Sequence, residues 1–341
     1  MGHLTLNAET DPKMSLVEPR DAGWLVYWGL TQTLRRFSPA FRLKHAEGLS
    51  RLCARIWLTV SPGERTRTLH HLQLMLNGRG ATADLERINR MHHEAHVWAF
   101  LIPDTLPFMG QEQIRAMGEV RGLEHLEAAR AQGRGAVLLS AHYGTHGYII
   151  VALLAAYGCP VTAVAGREAT PIGQDEPEGS RLYRKLVHPV REAPRRSLPI
   201  ITRSLVPDPR ILATLKDNQV LWLQGDMHLT EEEIAREHQI VQVPFLWGTA
   251  AFCSGPVRLP KVLGSPVLPC FGRREGSRVV VEIEEPLPLR SGTSYEDTAA
   301  DVRAYLERLE PRILAAPDQW AFTRHENLTT WIRATSAEDR G

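Results

Sequence analysis

The chain has 341 residues, of which 43% are hydrophobic and 23% are charged, and this suits one large globular domain with a helical extension, or two modest domains. Its net charge of +1 argues against a general nucleic-acid-binding protein, so an anionic partner has to be recognised by a local basic patch. The four cysteines are scattered without a CxxC pair, which argues against a zinc site or a disulfide framework and favours reduced thiols in a cytosolic compartment.

The N-terminal third is predicted to be helical. Residues 1–20 form a polar tail without the apolar core of a secretory signal, and residues 21–118 form a helical region. Within that region, residues 24–37 combine tryptophans, a tyrosine and leucines with two adjacent arginines, a pattern typical of a helix that lies on a membrane surface. Packing of these aromatics against the domain is the alternative, and the apolar runs are too short to span a bilayer.

Three histidines in this helical region invite a metal interpretation. The spacing of His92, His93 and His96 places His92 and His96 on one face of a helix. No carboxylate or further histidine stands at a HExxH-type position, so we expect a solvated or core-lining face and no metal site.

A strand, a tight turn and a helix follow one another in the middle of the chain. Residues 136–140 are a short apolar run, and residues 145–157 are apolar and compatible with a helix. His142 therefore lies between the carboxyl end of a strand and a helix N-terminus, where open α/β sheets place their ligands. Gly144 and Gly147 flank the turn, and their small size allows close approach of a substrate. The helix that follows offers unpaired N–H groups that stabilise negative charge. The alternative is a histidine that is merely hydrogen-bonded at a strand end.

Two further strands are predicted to end near the same place. One precedes Arg167 and Glu168, and the next precedes Asp226. Because the carboxyl ends of parallel strands share one edge of a sheet, both acids are expected to face the crevice of His142.

Seven or more cations lie within about forty residues after the second predicted strand, Arg184 among them. Such a patch suits a phosphate-bearing partner, namely coenzyme A, an acyl-carrier phosphopantetheine or a phospholipid head group. A solvated surface is the alternative.

The C-terminal part continues the α/β pattern. A helix is predicted over residues 250–263, with Thr249 as its N-cap and its N-terminal end facing a bound substrate. We expect an α/β domain over residues 119–330, with a mixed central sheet flanked by helices, followed by a tail over residues 331–341. The sequence has no GxGxxG after a strand, no P-loop and no GxSxG elbow, which argues against common nucleotide-binding and serine-hydrolase sites.

Several blocks carry a resemblance to a known family. The stretch GRGAVLLSAHYGTHG resembles the strand and motif block of the lipid A biosynthesis (late acyltransferase) branch of the lysophospholipid acyltransferase superfamily. Further blocks that resemble this family are QVLWLQGDMH, VQVPFLWGTAAFCSGPVRLPKVLGSPVLPCFGRR and APDQWAFTRH, so the resemblance covers nearly the whole chain. It implies a glycerol-3-phosphate-acyltransferase-like α/β fold.

The resemblance also implies an activity. A fatty acyl group would move from a thioester, either acyl-CoA or acyl-carrier protein, to a hydroxyl or amine of a lipid, glycolipid or specialised-metabolite acceptor, with His142 as general base and Arg184 as a phosphate contact. It implies no metal and no cofactor beyond the thioester co-substrate, no nucleic-acid partner, and peripheral attachment at the cytoplasmic face of the cell membrane.

One position departs from the family motif, which is His, four residues, then Asp or Glu. Here Gly147 occupies the position of the acid. Asp226 and Glu168 are the candidate replacements, and His146 is a weaker one. The alternatives are a histidine that works alone, a scaffold turned to a specialised product, and a catalytically degenerate scaffold that binds lipid or acyl carrier.

Overall fold

The computed structural model describes residues 21–78, 81–145, 147–167, 185–186, 189–190, 193, 196–203, 208–227 and 240–334. Its helices are α1 (Asp21–Leu34), α2 (Pro39–Val60), α3 (Pro62–Met75), α4 (Thr82–Leu101), α5 (Gln111–Ala116), α6 (Leu123–Arg130), α7 (Gly147–Ala156), α8 (Pro209–Lys216), α9 (Gly255–Lys261), α10 (Tyr295–Ala315) and α11 (Leu328–Trp331). Its strands are β1 (Gly118–Arg121), β2 (Ala136–Ser140), β3 (Val161–Arg167), β4 (Ile200–Arg203), β5 (Val220–Gln224), β6 (Ile240–Phe245), β7 (Gly248–Cys253), β8 (Val267–Glu275), β9 (Arg278–Ile283) and β10 (Ile332–Ala334).

Seven strands form one mixed sheet in the order β1-β9-β8-β2-β5-β3-β4. The central strand β2 is parallel to both neighbours, β5 and β8, whereas β8 and β9 form an antiparallel hairpin. All five residues of β2 are buried, as a strand covered on both faces requires. The predicted fold class, a mixed α/β sheet flanked by helices after an N-terminal helical region, is confirmed.

The two faces of this sheet belong to two separate apolar clusters. Val137 and Leu139 of β2 face a cluster with α10 and the β6–β7 hairpin. Ala136 and Leu138 face the opposite cluster, which contains α7 and the end of α4. This alternation of side chains along β2 fixes which elements lie above and below the end of the strand.

The region after β5 differs from the prediction. Residues 248–253 form strand β7, which pairs with β6 and β10, and the helix begins only at Gly255. Thr249 pairs with Pro244 and Arg333 inside that sheet, so its prediction as a helix N-cap is wrong. A continuous apolar run is compatible with either structure, and here the pairing partners of β7 decide for a strand.

The C-terminal end also extends further than predicted. Trp331 and Ile332 are buried, and β10 pairs with β7, so the folded part reaches at least Ala334.

Among the described residues, no helix combines the length and the apolar character that crossing a membrane requires.

Candidate active site

The parallel pairing of β2 and β5 brings His142 and Asp226 together. Ser140, the last residue of β2, lies opposite Gln224, the last residue of β5, and each functional residue follows two positions after the end of its strand. The His142 Nδ1 atom lies 2.9 Å from Asp226 Oδ1. The structure thus places a carboxylate beside the histidine at the carboxyl edge of the sheet.

Asp226 is fully buried, and its carboxylate is held by several donors. The His142 backbone N–H donates to both carboxylate oxygens at 3.0 and 2.9 Å, and Trp320 Nε1 donates to Oδ2 at 3.0 Å. A buried carboxylate is stable only when its oxygens are satisfied in this way. The contacts fix the orientation of Asp226 toward the imidazole ring.

His142 is more accessible than its partner, because 30% of its side chain is exposed. With Nδ1 donating to Asp226, the neutral ring carries its lone pair on Nε2. Among the described residues Nε2 has no hydrogen-bond partner. The ring lies 4.9 Å from the Phe322 ring, which supports one side of the imidazole.

A C-terminal segment, residues 317–325, closes over the turn that carries His142. The Ala321 N–H donates to His142 O at 2.8 Å, and the Gly144 N–H donates to Gln319 O at 2.7 Å. The Gln319 side chain bonds both the N–H and the C=O of Arg274, at 2.8 and 3.0 Å. Sequence reasoning matched this block to a family but missed the contact of Trp320 with Asp226. The available signal was the tryptophan itself, since a buried indole N–H needs an acceptor.

Gly144 shapes the turn between β2 and α7. Its φ is +75°, and a Cβ at this position would lie 1.7 Å from Gly272 O, so no other residue fits. Its own N–H is bonded to Gln319 O, so the predicted donors for negative charge are the N–H groups of the helix that follows.

Gly147 begins α7, and its surroundings leave no room for a side chain. A Cβ there would lie 2.3 Å from Cη2 of Trp222, which is buried on β5. A carboxylate at position 147 is therefore incompatible with this arrangement. The carboxylate that reaches His142 comes from the end of β5 instead.

The N-terminal helices hold residues 317–325 from the other side. His71 Nδ1 lies 2.9 Å from Thr323 O, and His92 Nδ1 lies 3.0 Å from Asp318 O. Burial lowers the pKa of His92 to about 3 and also lowers the pKa of His71, so both are neutral near pH 7. These histidines stabilise the segment that contacts the His142–Asp226 pair.

The three predicted helix histidines all have protein partners. His93 Nδ1 lies 2.9 Å from Asn89 O, and His96 Nε2 lies 2.6 Å from an Arg324 nitrogen. Within the described ranges, no three His, Cys, Asp or Glu side chains are grouped so that they could hold a metal ion.

Several predicted site residues are not placed by the structure. Arg184, Glu168 and His146 lie outside the described residues. Arg167 is the last residue of β3 and pairs with Arg203, but its side chain is outside what is described. Thr249 lies in β7, as stated above.

Comparison with known proteins identifies the family. The family model for the bacterial lipid A biosynthesis acyltransferases matches residues 9–326. A phosphatidylinositol mannoside acyltransferase of Mycolicibacterium smegmatis is 29% identical over 239 residues, which are 69% of each chain. Proteins of the same name from two Mycobacterium tuberculosis strains, CDC 1551 / Oshkosh and H37Rv, are each 28% identical over 201 residues, 59% of this chain and 57% of theirs. The chain therefore belongs to the bacterial lipid A biosynthesis acyltransferase family.

Proposed function

From its membership of an acyltransferase family, we propose that this enzyme transfers a fatty acyl group from an acyl thioester to a hydroxyl of a lipid or glycolipid acceptor, with His142 as the general base. The observation that carries the proposal is the His142–Asp226 pair, in which Nδ1 is bonded to a buried carboxylate while Nε2 remains available.

The proposed step is general-base catalysis. Nε2 of His142 takes the proton of the acceptor hydroxyl while its oxygen attacks the thioester carbonyl carbon. The resulting tetrahedral oxyanion collapses, the C–S bond breaks, and the imidazolium returns the proton to the leaving thiolate. Asp226 stabilises the imidazolium and keeps the ring oriented.

The negative charge of the intermediate needs donors. The first turn of a helix has N–H groups without intrahelical partners, and α7 begins at Gly147, five residues after His142. We propose that the N–H groups of this turn, which follows Gly144, stabilise the oxyanion.

The donor and acceptor are proposed at the level of chemical class. A thioester is already activated, so the reaction requires no metal or further cofactor. Acyl-CoA and acyl-carrier protein are both candidate donors. Arg184 and Arg167 are proposed contacts for their phosphates, and Glu168 is proposed as a further substrate-binding residue. The names of the relatives support a glycosylated phospholipid as acceptor, and with such an acceptor we propose that the enzyme works at a membrane surface. The four cysteines, all within the described residues, form no disulfide, which supports a reducing, cytoplasmic location.

The test is thioester release by the purified protein with a panel of acyl-CoAs and acyl-carrier proteins, with phosphatidylinositol mannoside or an amine as acceptor. Release should depend on the acceptor and fall by about 10³-fold in His142→Ala. His70→Ala, which removes an exposed histidine on α3, is the matched control and should act like the wild type. Full activity of His142→Ala would overturn the proposal. Donor binding without release that depends on His142 would identify a degenerate binding scaffold.

A further inference from the structure

The guanidinium group of Arg324 joins the segment of residues 317–325 to the N-terminal helices. Its Nη1 atom lies 2.7 Å from Glu64 Oε1 on α3, and its Nη2 atom lies 2.6 Å from His96 Nε2 on α4. Its Cζ atom lies over the Trp57 ring of α2, 5.3 Å from the ring centroid. One side chain thus contacts three helices at once, which a planar guanidinium with several donors makes possible.

The ion pair between Arg324 and Glu64 is largely shielded from solvent, with 26% of the arginine side chain and 14% of the glutamate side chain exposed. Trp57 Nε1 donates to the second carboxylate oxygen, Glu64 Oε2, at 2.8 Å. Burial raises the pKa of the Glu64 carboxyl, but the charge and hydrogen bond of Arg324 outweigh it and bring the pKa below its ordinary value. Removal of the arginine therefore leaves a partly buried charge without its partner.

The short 3₁₀ helix that ends in this arginine, Ala321–Arg324, also contacts His142. The Ala321 N–H donates to His142 O at 2.8 Å, and the Phe322 ring lies 4.9 Å from the imidazole ring. A 3₁₀ helix rises about 2 Å per residue, so Arg324 stands about 4–6 Å along the axis from these two contacts. A displacement of Arg324 therefore moves the ring that supports His142.

Two contacts to the main chain hold the same end of the segment independently of the Arg324 side chain. Arg67 Nε donates to Arg324 O at 3.2 Å, and His71 Nδ1 lies 2.9 Å from Thr323 O. Both involve carbonyl oxygens, which every residue carries, so they persist when the Arg324 side chain is replaced. The segment should then stay folded against the helices while its position becomes less defined.

We propose that Arg324 is a positioning residue that acts through Phe322 on His142. Its ion pair with Glu64 fixes the place of the 3₁₀ helix, and the 3₁₀ helix fixes the support of the imidazole ring. The effect on a reaction rests on the proposed function. The N-terminal helices then contribute to activity by holding the C-terminal segment at the site.

The test compares steady-state thioester release by the wild type, Arg324→Gln and Arg324→Lys. We expect Arg324→Gln to lower kcat about tenfold with KM nearly unchanged, and Arg324→Lys, which keeps the charge without the forked geometry, to restore part of the loss. Arg324→Gln/Glu64→Gln should be no slower than Arg324→Gln, because the two charges act as a pair. The matched control is Arg65→Gln, which breaks a surface ion pair with Glu86 between α3 and α4 and should keep the wild-type kcat.

A spectroscopic measurement separates positioning from a general loss of stability. The Nδ1 proton of His142, which faces Asp226, should give a downfield proton resonance that is absent from His142→Ala. Arg324→Gln should shift or broaden this resonance, and Arg65→Gln should leave it unchanged. Both variants are measured at a temperature where circular dichroism shows them to be folded, and Arg324→Lys replaces Arg324→Gln if the latter does not fold.

Either an unmoved resonance or a wild-type kcat in the folded Arg324 variant would contradict the proposal. So would a loss of kcat in Arg65→Gln equal to that in Arg324→Gln. If the wild type shows no thioester release that depends on His142, the proposed function fails, and the resonance still tests whether Arg324 positions the imidazole ring.

Discussion

Two histidines in different regions of this protein, His142 and His92, have opposite environments. At the ends of β2 and β5, His142 faces a carboxylate and remains partly exposed. In the N-terminal helices, His92 is fully buried and its Nδ1 faces a main-chain carbonyl oxygen. The first arrangement leaves Nε2 accessible to a substrate, whereas in the second burial disfavours the charged ring and lowers the pKa of His92. The difference separates a histidine suited to acid–base chemistry from one that holds structure.

The largest effect should come from removing the charge of the carboxylate beside His142. In Asp226→Asn the imidazolium loses its partner, and we expect the acyl transfer rate to fall by about 10²–10⁴-fold with little change in KM. The measurement is steady-state thioester release. Asp217→Asn, at an exposed aspartate after α8, is the matched control. Unchanged kcat in a folded Asp226→Asn protein would show that the carboxylate has no part in the reaction.

A substitution at Gly147 tests whether the Trp222 indole excludes a side chain at this position, so that the carboxylate beside His142 comes from the end of β5. In Gly147→Ala the new methyl group collides with the indole ring, and we expect the free energy of unfolding to fall by about 1–3 kcal/mol in urea titrations. Gly255→Ala also changes the first residue of a helix, but nothing lies within 4 Å of its added Cβ. Its stability should stay within about 0.5 kcal/mol of the wild type. Equal effects of the two changes would contradict the steric explanation.

His92 should make the fold sensitive to acid. Its pKa in the folded state, about 3, is below the value of about 6.5 in the unfolded chain, so the unfolded state binds more protons between these pH values. The contribution of His92 to the free energy of unfolding is fully present above about pH 6.5. It falls as the pH falls, by about 2 kcal/mol at pH 5.

The measurement is the unfolding free energy of wild type and His92→Asn at pH 7.5 and pH 5. The asparagine can still donate to Asp318 O but does not titrate. Between pH 7.5 and pH 5, the unfolding free energy of the variant should therefore fall by about 2 kcal/mol less than that of the wild type. The pH 7.5 value serves as the control for the structural cost of the substitution. An identical pH dependence in both proteins would show that His92 is not the residue responsible.

The smallest effect concerns the indole that supports Asp226. Trp320→Phe removes one hydrogen bond to the carboxylate, and kcat should fall about tenfold. Trp331→Phe removes a comparable buried bond, from Nε1 to Ala251 O at 2.8 Å, without touching Asp226. Both variants should lose stability, but only Trp320→Phe should lose activity. Equal losses of activity in Trp320→Phe and Trp331→Phe would show that Trp320 contributes only packing.

Much of the fold follows from the sequence because the central strands are short apolar runs bounded by turn residues. The same reasoning placed His142 and Asp226 at one edge, since parallel strands end together. It could not show that Trp320 reaches Asp226 across 94 positions of the chain, or that Trp222 excludes a side chain at position 147. It misassigned Thr249, because an apolar run by itself does not distinguish a strand from a helix. These contacts depend on packing between distant elements, which local patterns do not record.

The most direct test of the central claim, that His142 and Asp226 act as one unit, is a double-mutant cycle on the transfer rate with His142→Ala, Asp226→Asn and both together. If the carboxylate acts only through the imidazole, the double variant should be no slower than His142→Ala alone. Rate losses that multiply in the double variant would show that the two residues act independently, and would contradict this account.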